Sequence, residues 1–226
     1  MLSRRHLRIK VMQGLYAYFQ SEHHELGKAE KQLLASIEKM HETYLYLLLL
    51  IIELADAGRA NVMDSGKKHI PKSDDPDTNP AFAENQLIKK LSLNEDLAKI
   101  AKQKKISWQK DADLVKKLFS QLKKTPEYLT YIKAEKTFES EKEFIIWVYK
   151  KFLFTSELLT HHLEERNIHW VDDEDFITSM VVKTIKSVNE GEGENGNILP
   201  LFKDEEDDLD FTTTLFRKTI LNDDEY

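Results

Sequence analysis

The chain contains no cysteine. That excludes disulfides and thiolate metal centres, and it suits a reducing compartment. Glycine and proline are scarce, at 7 and 5 residues, and the recurrence of Leu, Lys, Glu and Ala in their place favours helix. No hydrophobic run is long enough to span a bilayer: the most apolar stretch, YLYLLLLII at 44–52, ends at Glu53 and reads as a buried helix segment. The N-terminal basic residues are not followed by an apolar run with a small-residue cleavage site, so a secretory signal is not expected. There is no Walker loop, no dinucleotide glycine motif and no G-x-S-x-G elbow. The carboxylates form no pair that spacing alone sets up for acid–base work. The expectation is a cytoplasmic, non-enzymatic protein with no catalytic residue, no cofactor and no membrane partner.

With 226 residues, 41% of them hydrophobic, the chain can bury a core as one large domain or two small ones. The formal net charge of −7 is unevenly spread. The first ten residues carry Arg4, Arg5, His6, Arg8 and Lys10 without a single carboxylate, and 89–124 is rich in lysine. Segment 190–210, by contrast, holds acids against Lys203 alone. Local patches, not the total, therefore govern any affinity for nucleic acid.

Periodicity predicts an all-α fold. Leu7, Val11, Leu15 and Tyr18 recur at one helical turn after a cap at Ser3. HHELGKAE breaks this helix, and a long one follows from about Lys28 to about Asp64, its stripe running through Leu33, Leu34, Ile37, Met40, Tyr44, Leu47, Leu48, Ile51 and Leu54. Residues 65–80 read as a loop. Shorter helices are expected from Pro80 to Lys90 after Asn79, from a cap at Asn94 to Lys104, from Asp111 to Lys124, and from Pro126. A capping box at Ser140 and Glu143 predicts one long helix through SEKEFIIWVYKKFLFTSELLTHHLEERN. A further helix is expected from Asp172 to Val188, an acidic loop over 189–210, and a last helix from Phe211. The expected division is 1–64, 65–80, 81–188, 189–210 and 211–226.

The first helix is the leading candidate for function. Arg4, Arg5 and Arg8 stand three and four residues apart and project near one another. His6 and Lys10 widen the basic zone, and Tyr16 and Tyr18 add aromatic surface. Guanidinium forks suit phosphate oxygens and stack on unpaired bases. His161 and Glu165 have a metal-compatible i,i+4 spacing, yet no third ligand stands at a motif spacing, so a solvated helix end is expected and no metal site. His23 and His24 are read the same way. Trp108, Trp147 and Trp170 are expected as core or capping aromatics.

Arg5, Arg8, Gln13, Leu15 and Tyr16, in RRHLRIKVMQGLY, resemble the opening of the NusB family of transcription antitermination factors. That family begins with an arginine-rich segment leading into a helix that ends Gln-x-Leu-Tyr. FTTTLFRKTILNDDEY at 211–226 looks like the start of the family's central long helix, and the whole is most similar to the long Bacteroidetes-type variant with inserted lysine-rich helices. The resemblance implies two packed helical bundles. It also implies binding to the single-stranded boxA element of ribosomal RNA leader transcripts, together with a small-subunit ribosomal protein (NusE) in the RNA polymerase antitermination complex. Its RNA contacts would fall on Arg4, Arg5, His6 and Arg8, with Lys10 assisting from outside the usual pattern. Leu7 and Gly14 stand where alanines are common, and Gly14 would let a neighbouring helix approach closely. The family's C-terminal bundle, with its Asn-Glu and Phe-x-Asn-Gly segments, would follow Tyr226, so the chain is expected to be a fragment.

Two further expectations are open to test. Residues 80–188 can instead form a protein-docking scaffold with no RNA role. Segment 190–210 either folds back onto the basic first helix or stays a solvated loop, the second being expected.

Overall fold

A computed structural model describes residues 1–22, 25–66, 75–191 and 195–222. The fold is all-α, with ten α-helices and no strand among the described residues. The chain divides into two compact units, 1–41 with 199–226, and 42–198, and the boundary falls inside one helix, between His41 and Glu42.

The first unit contains α1 (Arg4–Gln20), the opening part of α2 (Leu26–Gly66) and α10 (Glu205–Leu221). Ser3 caps α1 as expected. Its side chain accepts from the His6 amide, and His6 Nδ1 accepts in turn from the Ser3 amide at 3.4 Å, closing a capping box with histidine in the usual acidic position. Leu7, Lys10 and Val11 form the inward face of α1, and Leu33, Ile37 and Met40 of α2 are buried in the same unit. Phe216 of α10 completes this small core, fully buried. The extended segment before α10 is tied to the N-terminus by the Leu2 amide, which donates to the Leu201 carbonyl at 2.8 Å.

Residues 205–210 are helical, which corrects the loop expected over 189–210. Asp204 caps α10 by accepting from the Asp207 amide at 3.1 Å, and Glu205, Glu206, Asp207 and Asp208 fill the first turn. Four carboxylates repel one another, but at a helix N-terminus the exposed amides and the dipole favour them.

The second unit is built around the rest of α2, where Tyr44 to Leu48, Leu50, Ile51 and Leu54 are buried. It adds α3 (Gln86–Ser92), α4 (Glu95–Lys104), α5 (Ala112–Leu122), α6 (Pro126–Lys133), α7 (Phe138–Trp147), α8 (Glu157–Arg166) and α9 (Trp170–Ser187). Asn94 caps α4 and Pro126 opens α6, both as expected. Other starts differ. Asn79 closes a turn by accepting from the Ala81 amide, and the cap of α3 is Asn85, which accepts from Ile88. Thr137 with Ser140 forms the capping box of α7, three residues before the expected one.

The single long helix expected from Ser140 is also corrected. Val148–Leu153 is a π-helical turn, with the Phe154 amide donating to Tyr149 five residues back, and Ser156 caps a new helix. The extra residue per turn rotates the following segment out of register, so a 3.6-residue pattern read across it is misleading.

Candidate nucleic-acid interface

At 100° per residue, Arg5, Arg8, Ile9, Met12, Tyr16 and Phe19 fall within an arc of about 100° on α1. Both arginines are exposed. The apolar members are also unusually open, with Tyr16 at 70% and Met12 at 63% of full exposure. The outward face of α1 thus alternates guanidinium groups with aromatic and thioether surface, while its other side makes the core of the unit.

Arg4 sits at the edge of this face and is engaged by α10. Its guanidinium forms an ion pair with Asp207, its Nε lies 3.4 Å from Asp208 Oδ1, and its Cζ stands 4.2 Å above the Phe211 ring. Arg8 approaches the same ring at 5.5 Å. Phe211 therefore gathers two arginines from one helix about a single aromatic ring. The acidic segment does reach the basic helix, through Asp207 and Asp208, which corrects the expectation of a solvated loop. Asp208 is held in place as it accepts from the Lys203 amide at 3.1 Å.

The remaining expected contacts lie elsewhere. His6 is half-buried and engaged in the cap. Lys10 is 2% exposed and faces the interior of the unit. Tyr18 is half-buried, packing edge-on against Phe19 and Phe216 at 5.4 and 6.4 Å. The structure thus brings Arg5, Arg8 and Tyr16 together on one open face, with Arg4 beside it, and turns His6, Lys10 and Tyr18 to structural duty. Ile9, Met12, Phe19 and Phe211 belong to this surface too. The helical period contains the first three, whereas Phe211 is some two hundred residues away and no local signal marks it.

A second polar cluster lies in the other unit. The Tyr46 hydroxyl donates to Asp111 Oδ2 at 2.7 Å and lies 2.9 Å from His162 Nε2. Its ring stacks on Trp108 at 3.8 Å, and Arg166 stands 4.0 Å from its centroid. Burial, and then the bond to Asp111, push the Tyr46 hydroxyl well above its ordinary range, so it stays neutral. Burial lowers the His162 imidazole, with Asp111 opposing. The Tyr46 hydroxyl, Asp111 carboxylate and His162 imidazole partner one another, which gives the cluster the character of a cross-link between α2 and α8.

His161 pairs with Glu165 at 3.4 Å on an exposed helix face, and no group of three or more potential metal ligands exists among the described residues. His23 and His24 lie outside them. No described helix is long and apolar enough to cross a membrane. Trp108 and Trp170 are core residues as expected, but Trp147 is half-exposed. No protein-family model, curated protein or solved structure matches the chain.

Proposed function

We propose that the chain is an RNA-binding, non-enzymatic transcription antitermination factor of NusB type. In this reading it acts in the cytoplasm on boxA-like leader RNA of ribosomal RNA operons, with NusE and the RNA polymerase antitermination complex as partners. The observation that carries the reading is the outward face of α1, where Arg5 and Arg8 stand beside exposed Tyr16. Cations at helical spacing meet the phosphates of an extended strand, and an open aromatic ring offers a stacking surface to an unpaired base. The resemblance carried by Arg5, Arg8, Gln13, Leu15 and Tyr16 supports the same assignment.

With about three cations on phosphate, log K falls against log salt with a slope near −2, at roughly 0.7 per contact for single strands. Fluorescence anisotropy with a labelled boxA-like oligonucleotide measures this slope. Arg5→Ala with Arg8→Ala should weaken binding and flatten it, and an affinity indifferent to salt or to these changes would overturn the proposal.

A second reading has its own observation. Ile9, Met12 and Phe19 are 40%, 63% and 43% exposed on the same face, which also suits a protein partner. A helical interaction scaffold without RNA binding would keep its partners after RNase treatment.

A further inference from the structure

Between α6 and α7 the second unit carries an open groove of about 420 Å³. Its floor is a run of near-parallel rings: Tyr131 stacks on Phe144 at 3.9 Å and 5°, and Phe144 on Trp147 at 5.8 Å and 13°. Its rim carries Glu127, Glu135 and Glu143, all exposed, against one cation, Lys136. None of these residues belongs to the basic face of α1.

Lys136 shows what the floor accepts. Its Nζ stands 4.1 Å from the Tyr131 ring centroid and donates to the Ala134 carbonyl at 2.9 Å and to the Tyr131 carbonyl. One end of the groove is thus already occupied by a cation resting on an aromatic face beside the C-terminal carbonyls of α6. Burial lowers the Lys136 ammonium from its ordinary value, consistent with the partly water-excluded character of that end. Trp147, which also lines the groove, is half-exposed, and Glu143 stands one helical turn before it on α7.

We propose that this groove is a docking site for a basic linear segment of a partner protein, with an arginine side chain laid against Trp147 and its charge met by the glutamates. Arginine fits better than lysine because its planar guanidinium both stacks and forks to carboxylates. Nucleic acid is disfavoured here, because the rim carboxylates repel phosphate. The site is independent of the RNA reading and stands or falls without it.

Trp147 makes the test local, since Trp108 and Trp170 are buried. The full chain is titrated with the acetylated, amidated hexapeptide GRGRGR, and iodide-quenchable tryptophan emission is followed. Saturable protection of the emission is expected, with no response to GEGEGE. The surface variant Glu127→Gln/Glu135→Gln/Glu143→Gln should weaken the apparent affinity roughly tenfold, as three exposed charge contacts imply. Arg5→Ala with Arg8→Ala should leave the titration unchanged. The proposal is overturned if GRGRGR leaves the emission unaltered or binds the glutamine variant equally well. It is also overturned if an oligouridine strand protects Trp147 as effectively as the peptide.

Discussion

The guanidinium of Arg4 lies face-on to Phe211, 4.2 Å from the ring centroid, and is held there by an ion pair with Asp207 one turn earlier on α10. Residues at opposite ends of the chain thereby define one margin of the basic face. Replacing Phe211 by leucine keeps apolar bulk but removes the aromatic ring that both Arg4 and Arg8 approach. Urea unfolding should show a loss of about 0.5–1 kcal/mol, in the range of partly exposed cation–π contacts.

Asp207 holds the Arg4 guanidinium, so in the proposed RNA reading it would compete with phosphate for it. It is exposed, and its side chain makes no bond to the core of the unit. Asp207→Asn should raise affinity for a boxA-like strand roughly two- to fivefold at low salt, the worth of one surface ion pair. The gain should shrink as salt rises. Equal affinity of the two proteins at every salt concentration would mean that Arg4 does not reach the RNA.

Two glycines have opposite expectations. A Cβ at Gly14 would meet Leu33 Cδ1 and Phe216 Cε2 at 3.4 Å, which is ordinary contact. The close approach expected there does not require glycine, and Gly14→Ala should stabilise the protein by about 0.5–1 kcal/mol through helix propensity. Gly196 has φ +94°, and its Cβ would stand 2.9 Å from Val188 Cγ2. Its carbonyl also accepts from Asn94 Nδ2 at 2.8 Å. Gly196→Ala should destabilise by about 1–3 kcal/mol, and thermal unfolding of the two variants side by side checks both signs.

His162 supplies a pH dependence. Its folded-state imidazole titrates below the unfolded one because burial outweighs the pull of Asp111, with Arg166 adding to the lowering and Glu165 opposing it. The unfolded chain therefore binds more protons as the pH falls below about 6.5. Stability from this group is full above that value, declines as pH falls, and levels off once the folded imidazole has protonated. His162→Gln should make the unfolding free energy less pH-dependent between pH 7 and 5 than in the unaltered chain. A slope unaltered by the substitution would assign the dependence to other groups.

Several helix starts were legible because a short-range signal carried them. Ser3, Asn94 and Pro126 mark helix starts because a cap or a missing amide acts within one turn. The misread boundaries share a cause. Thr137 precedes Ser140, and either hydroxyl satisfies a cap on sequence grounds, so only the packing of Phe138 into the core chooses between them. The π-helical turn at Val148–Leu153 is invisible to periodicity because its buried residues, Val148, Tyr149 and Leu153, stand at spacings that an uninterrupted α-helix also gives.

The candidate interface divides in the same way. The 3.6-residue period already places Arg5, Arg8 and Tyr16 on one side of α1, and the absence of nearby acids follows from the letters alone. Composition and period together determined an all-α protein with a basic first helix. Tertiary structure decided which side of that helix is open, because α1 packs on α10 with Leu7, Lys10 and Val11 buried, which fixes its rotation. It also decided that Arg4 is shared with Asp207 and Phe211, and that three glutamates and an aromatic floor meet between α6 and α7. Such relationships depend on long-range packing, whereas the signals a sequence carries plainly act within one or two helical turns.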